Sequence, residues 1–322
     1  MLKSAYIGVP REKKEMISIK SLKNITVICL AAMIFFAGCG SPSDENSIVI
    51  YDGQYSEMRV IHQMVKLLVE EHTDLTVTIK DEMSHVNSYN ELVKGNCDLM
   101  NSYDGTLLTT FLKLDPNDVP EGQTLYDFVN EVALERDQVR LLAKLGTDNT
   151  YAVAVPQQIA DQYNLEVVSD LIPVAGELVF GAEHEFFSQE GSGKFNPFVE
   201  FYGLEFKEGK AIDMGLKYSA VESGNVDVTV VYATDGLNKK AKLKILEDDR
   251  EFFPEYNGSL LVRDDLFERF QDVAPNLEEV LNMLGGRFTD EVMTGITYAI
   301  DVEGRTPKEM AKEFLQAEGL IE

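Results

Sequence analysis

Short apolar runs alternate with stretches of helical periodicity along most of this chain, and that alternation constrains the fold more than any other feature. Ile48 to Ile50 reads as a strand, and Met58, Ile61, Met64, Val65 and Leu68 then fall on one face of a helix. The pattern continues with a strand at Leu75 to Ile79, a helix at Ser88 to Lys94, a strand at Asp98 to Ser102 and a helix at Leu125 to Arg136. After Leu141 to Gly146 a second series opens with a strand at Tyr151 to Val155, a helix started by Pro156 and a strand at Leu178 to Gly181. A helix around Phe198 to Tyr202 and a buried strand at Val226 to Tyr232 complete it. The tail reads as amphipathic helices at Leu266 to Phe270, at Leu277 to Leu284 and from Thr306, with Pro307 in the first turn. Two α/β series and a helical tail predict two lobes. Ligands of such open sheets sit at the carboxyl ends of strands, so the cleft between the lobes is the expected site.

The amino end predicts export. Lys3, Arg11, Lys13, Lys14, Lys20 and Lys23 precede an uncharged run from Ile25 to Phe36, a basic region followed by an apolar one. The run is shorter than a membrane span needs and is followed at once by Gly40, Ser41, Pro42, Ser43, Asp44 and Glu45. Phe36, Ala37, Gly38 and Cys39 resemble the site at which bacterial lipoproteins are cleaved and diacylated, although Phe36 stands where Leu is usual. Cys39 is therefore expected to carry a lipid anchor to the bacterial cell membrane, with translation starting at Met1 or Met16. With Cys29 in the leader and Cys39 at its end, only Cys97 remains in the body, which excludes an internal disulfide. Cys97 sits beside Asp98 and Leu99 in an apolar stretch and reads as a small buried hydrophobe.

The whole chain carries a formal charge of −26, and the leader holds six of its 29 Lys and Arg but only two of its 55 Asp and Glu, so the body is more acidic still. Such a body repels nucleic acid and anionic lipid and suits a cationic ligand. No motif of catalysis stands out. Gly191, Ser192, Gly193 and Lys194 lack the earlier glycine and the Ser or Thr of a phosphate loop, and read as a turn. His62, His72, His85 and His184 have no metal-ligand spacing, and there is no nucleophile elbow. Neither a cofactor nor a metal is expected.

Four stretches carry a family likeness: "HTDLTVTIK", "YDGTLLT", "DNTYAVAVPQQIADQYNLEVVSDL" at 148–171 and "VDVTVVYATDGLNKKAKLKILEDDREFFPEY" at 226–256. They resemble the substrate-binding proteins of osmoprotectant importers for glycine betaine, choline and carnitine, the Opu/ProX-like family. The resemblance implies a type II periplasmic-binding-protein fold, two α/β lobes with a hinge crossed twice and a ligand cleft between them. The crossings are expected near Asn149 and Thr234, which divides the chain into a leader at 1–39, a linker at 40–46, a first lobe of 47–148 plus 234–322, and a second lobe of 149–233. The partners it implies are a small quaternary-ammonium ligand, ABC permease subunits and, through the anchor, the membrane. No nucleic acid is implied, and a monomer is expected.

A trimethylammonium group has no N–H to donate, so a selective site must surround it with negative potential and apolar surface, which aromatic faces supply together. The family's cage positions fall on Tyr103, Tyr151, Tyr232 and Tyr256. The residues themselves support part of this, because Tyr103 and Tyr232 end apolar strands and Tyr151 starts one; Tyr256 rests on the resemblance. Polar partners for the other end of the ligand fall on Asn149, Thr106 and Gln54, although an ungapped comparison puts Gly53 at the glutamine position. Asp104 either faces the cleft or is solvated, and turn positions favour the solvated outcome. Two other classes stay open. A site for an amino acid would need an Arg clamp, and Arg59, Arg136 and Arg140 lie on predicted helices or their edges. A secreted hydrolase would need catalytic groups that no spacing here provides.

Overall fold

A computed structural model of the chain describes residues 46–322 except 185, 188–192 and 214–215. The leader, Cys39 and the linker up to residue 45 lie outside the described residues. Parallel strands β1 (Ser47–Tyr51) and β2 (Thr76–Lys80) are joined by α1 (Ser56–His72). The helix runs long because Met58, Ile61, Met64, Val65 and Leu68 form one fully buried stripe. Each such side chain contributes about 1.5–3 kcal/mol by leaving water. In α2 (His85–Lys94) the Ser84 side chain accepts from the Asn87 N–H, and Gly95 ends the helix at φ 81°, where a Cβ would be strained.

Strand β3 (Leu99–Tyr103) is buried along its whole length and runs straight into a helical turn at Asp104–Thr106 that continues as a π-helical turn at Leu107–Phe111. Helix α3 (Leu125–Asp137) and β4 (Val139–Leu141) follow. Cys97 is buried and free, with its thiol pushed up to about 12 by burial, as suits a packing residue.

The chain then builds a second sheet. Its elements in order are β5 (Tyr151–Pro156), α4 (Gln157–Tyr163), β6 (Val179–Glu183), α5 (Phe195–Tyr202), β7 (Glu208–Ile212), α6 (Lys217–Glu222), β8 (Val228–Tyr232), α7 (Gly236–Lys240) and β9 (Leu243–Ile245). The strands lie in the order β7-β6-β8-β5-β9, with β6 parallel to β7 and β8 and with β5 antiparallel to β8 and β9. Phe180, Phe186 and Phe198, all at 0% exposure, anchor the core beneath it.

The chain returns as β10 (Gly258–Arg263), which lies between β3 and β4 and antiparallel to both. The β1 and β3 edges meet through Asp98, whose N–H donates to the Val49 carbonyl (2.8 Å) while its carboxylate accepts from the Val49 N–H (2.7 Å). Helices α8 (Leu266–Arg269), α9 (Leu277–Asn282), α10 (Asp290–Asp301) and α11 (Pro307–Ala317) close this lobe, the last one capped reciprocally by Thr306 and Glu309.

Two lobes with two crossings therefore stand, but the second crossing is not at Thr234. Strand β9 hydrogen-bonds to β5, and Leu246 and Phe253 pack into the second lobe's core, so the chain changes sheets between Phe253 and Gly258. The two crossing segments pair antiparallel: Asn149 N–H donates to the Tyr256 carbonyl (3.0 Å) and Gly258 N–H to the Thr147 carbonyl (3.2 Å). What does touch the first lobe near Thr234 is a docked loop. A Cβ on Gly236 would come within 2.3 Å of the Tyr298 backbone nitrogen, and the Thr297 hydroxyl donates to the Thr234 carbonyl (2.9 Å). Gly236→Ala is expected to destabilise by about 1–3 kcal/mol, because backbone cannot yield. Gly295→Ala, on the facing helix α10 with nothing within 4 Å of the new methyl, should instead stabilise by about 0.5–1 kcal/mol. Urea denaturation of both variants checks this; equal effects would show that α7 does not pack as described.

Candidate functional site

Tyr103 ends β3 at 8% exposure, and its hydroxyl donates to Glu57 Oε1 at 2.9 Å. Glu57 lies in the first turn of α1, only 4% exposed, and its Oε2 accepts from the Thr234 hydroxyl at 2.6 Å. Loss of water pushes the Glu57 carboxyl up to about 6 and the Asp290 charge adds to this, while the Thr234 and Tyr103 hydroxyls oppose it. The Tyr103 phenol is held well above its ordinary value, first by burial and then by the Glu57 charge.

Tyr256 sits on the second crossing, held by its own backbone: its N–H donates to the Asp148 carboxylate (2.6 Å) and its carbonyl accepts from Asn149. Its ring lies 6.2 Å from that of Tyr103, tilted by 36°. It rests directly on Gly105, where a Cβ would come within 2.1 Å of the ring. A glycine is what allows an aromatic face this close to the turn after β3.

Tyr151 and Tyr232 are opposite each other in the antiparallel pairing of β5 and β8. Their rings stack at 5.1 Å with 21° between planes, and their hydroxyls are 3.5 Å apart. Phe186 and Phe253 back Tyr151 at 5.5 and 6.1 Å. The Lys217 ammonium stands 6.0 Å from the Tyr232 ring and is paired with the Glu183 carboxylate at 3.1 Å, both side chains buried.

The four tyrosines thus come as two ring pairs, and a polar chain runs from Tyr103 to residues two positions from each member of the second pair. Glu57 links Tyr103 to Thr234, and the Thr234 N–H donates to Asn149 Oδ1 (3.4 Å), whose side chain also reaches the Tyr103 hydroxyl. Asn149 is therefore placed among them. Thr106 is half-buried on the turn beside Gly105. Gln54 is exposed, and its carbonyl accepts from Arg59 (3.3 Å); Gly53 next to it is buried and packs on Met58. Two surface depressions of about 350 Å³ lie elsewhere, between Arg305 and Gln316 and around Glu71 to Asn276, and border none of these residues.

Asp104 overturns the solvated expectation. It is 0% exposed, and its carboxylate accepts from the backbone N–H groups of Gly105 (2.7 Å) and Asn257 (2.8 Å) and from Asn257 Nδ2 (2.8 Å). It ties the turn after β3 to the second crossing. A turn residue facing water needs no such partners; here burial makes all three bonds necessary. Burial also pushes its carboxyl up to about 6.

Glu57 was not singled out from the sequence, although a signal exists. It shares a helical face with Ile61, Met64 and Leu68, so a carboxylate there points inward. His62, also buried, is structural: its Nε2 accepts from the Asn101 N–H (3.1 Å) and its Nδ1 faces Asp52 (3.2 Å).

This architecture is that of a type II periplasmic-binding protein, two α/β lobes with a ligand cleft between them. A solved structure described as a glycine betaine/carnitine/choline ABC transporter matches with a TM-score of 0.76 and 27% identity, covering 85% of this chain and 100% of that one. Residues 46–317 match the family described as the substrate binding domain of ABC-type glycine betaine transport systems, and the chain belongs to that family. It is similar to the carnitine transport binding protein OpuCC of Listeria monocytogenes, 30% identical over 94% of this chain and 98% of that protein. It is also similar to the ergothioneine transport permease/ergothioneine binding protein EgtU of Helicobacter pylori, 28% identical over 86% of this chain and 48% of that protein. The chain is accordingly an extracytoplasmic solute-binding protein that works with the permease subunits of an ABC importer on a small ligand, and is not an enzyme.

The Asp104 arrangement has a pH signature. A carboxyl raised in the folded state favours folding while protonated, and that contribution is lost as pH climbs from 3.8 through about 6. Between pH 5 and 7.5 this costs about 1 kcal/mol. Asp104→Asn keeps acceptors for the two N–H groups and should remove that part of the slope in urea denaturation. An unchanged slope would mean that Asp104 is not buried in the hinge.

Proposed function

We propose that the chain captures a trimethylammonium compound of the glycine betaine, choline and carnitine class in a cage that includes Tyr103, Tyr151, Tyr232 and Tyr256, and delivers it to its permease from a lipid anchor at Cys39. The observation that carries this reading is the presence of two close tyrosine pairs, Tyr103 with Tyr256 and Tyr151 with Tyr232, whose near neighbours in the chain, Asn149 and Thr234, hydrogen-bond to each other. Rings stacked at 5.1 Å leave no space for a cation between them, so Tyr151 and Tyr232 act as one wall, while Tyr103 and Tyr256 form another. Asn149 and Thr106 supply polar contacts to the far end of the ligand; Gln54 would add one from the first lobe's mouth. Asp104 holds the hinge and makes no ligand contact. The lobes close by bending at the paired crossings, and the ligand stabilises the closed form.

Each desolvated ring is worth on the order of 1–2 kcal/mol, enough for several together to support micromolar binding after association costs. Calorimetric titration with choline, glycine betaine, carnitine and ergothioneine tests the class. At least one should bind at micromolar concentration, and folded protein that takes up none at millimolar concentration refutes the reading. Tyr256→Ala should weaken binding by about 1–2 kcal/mol while Tyr256→Phe keeps most of it, because the ring quadrupole survives. Gly105→Ala, which pushes the same ring away, should resemble Tyr256→Ala. For the anchor, Cys39→Ala should shift the protein from the membrane to the soluble fraction of cells.

A further inference from the structure

We propose that α7 is a third joint between the lobes: it travels with the first lobe although both strands beside it in the chain belong to the second, and through it α10 positions the Tyr232 ring for the ligand. The positioning rests on the cage reading above; the joint does not.

Strands β8 and β9 both pair with β5, which makes the second lobe the natural seat for the segment between them. It packs on the first lobe instead. A Cβ on Gly236 would lie 2.3, 2.5 and 2.7 Å from the Tyr298 nitrogen, the Tyr298 Cα and the Thr297 carbonyl carbon, so two backbones meet with no side chain between them. The Thr234 carbonyl (2.9 Å) is the nearest of three around the Thr297 hydroxyl, ahead of Met293 (3.1 Å) and Thr294 (3.2 Å) in its own helix. The Thr294 hydroxyl donates to the Ala233 carbonyl (3.4 Å), and the Lys239 ammonium lies over the Tyr298 ring at 4.9 Å. Backbones this close cannot slide past each other.

The attachments of α7 to the second lobe are of another kind. One rotatable hydroxyl, that of Tyr218, reaches Asp235 (2.5 Å) and Asn238 (2.9 Å). At the exit Lys242 holds φ 52°, a left-handed conformation that a side chain disfavours, and its carbonyl already accepts from the second lobe's Gln157 N–H (3.1 Å). At the entry the Tyr232 carbonyl accepts from Asn238 Nδ2 (2.8 Å). The second lobe therefore turns at 232–234 and 241–243, and the backbone of a cage residue is held by a helix that the first lobe carries.

Spin labels on exposed positions of α7 (Lys240→Cys), the first lobe (Lys312→Cys) and the second (Glu200→Cys), placed two at a time on the full extracytoplasmic chain, test the joint by pulsed dipolar spectroscopy; Cys97 is buried and out of reach of the label. With whichever of choline, glycine betaine and carnitine binds in calorimetry, the 200/312 and 200/240 distances should change and the 240/312 distance should not. A 240/312 change as large as that of 200/312, or no change in any pair with ligand bound, overturns the joint. Thr297→Val, which keeps the shape and loses the hydroxyl, should weaken binding about fivefold, and Thr297→Ser should stay within about twofold of wild type. Equal affinity in all three chains overturns the positioning. Should none of the ligands bind, the cage and the positioning fall together, and the joint is read from the ligand-free distributions: 240/312 should be the narrowest, and equal widths overturn it.

Discussion

Everything at the candidate site depends on the antiparallel pairing of the two hinge strands. Asn149 and Tyr256 share a backbone hydrogen bond, and the carboxylates of Asp148 and Asp104 hold the Tyr256 and Asn257 N–H groups from either side. These bonds put Tyr256 over Gly105, Asn149 beside Tyr103, and Tyr151 at the head of β5 only two residues past Asn149. A hinge is where a two-lobed protein must bend, yet the site residues sit on it or one turn away. Position and motion are therefore coupled: any change in lobe angle alters the spacing of the two ring pairs.

The hinge is also where the protein spends buried charge. Asp148 on the first crossing, Asp104 and Asp290 hydrogen-bonded to crossing residues, and Glu57 beside Tyr103 all have carboxyls raised by burial, in a chain that is already strongly acidic. Backbone N–H groups compensate Asp104 and Asp148, and Asp290 accepts from the Asp148 N–H (2.8 Å). Such groups stabilise a carboxylate without cancelling its field. The cluster leaves the hinge acidic, with the Lys144 ammonium acting on Asp104 from the surface.

Much of the fold was legible because its signals are local. The strands at Leu99–Tyr103, Tyr151–Pro156 and Val228–Tyr232 are short apolar runs with clear ends, and the Pro307 helix starts with a capping residue. Strand β10 receives no assignment from the sequence, because the strand character of Gly258 to Arg263 comes from burial between β3 and β4, which are distant in the chain. Strand β7 was missed for the opposite reason: Glu208 to Ile212 is a largely exposed edge with no apolar alternation. The second crossing was misplaced because the loop after Tyr232 does contact the first lobe, through Thr234 and Gly236, before the chain returns to add β9. A contact between lobes and a change of lobe look alike in sequence.

Site residues divide in the same way. A tyrosine at the end of an apolar strand announces itself, since strand ends face the cleft. Asp104 did not, because its role depends on Asn257, a residue 153 positions away. Glu57 lies between these extremes: its place on the buried face of α1 can be read from spacing, but that it meets Tyr103 and Thr234 at once follows only from folding. The residues hardest to infer are those whose partners lie on both lobes, and these are also the residues through which ligand chemistry and lobe closure can be linked.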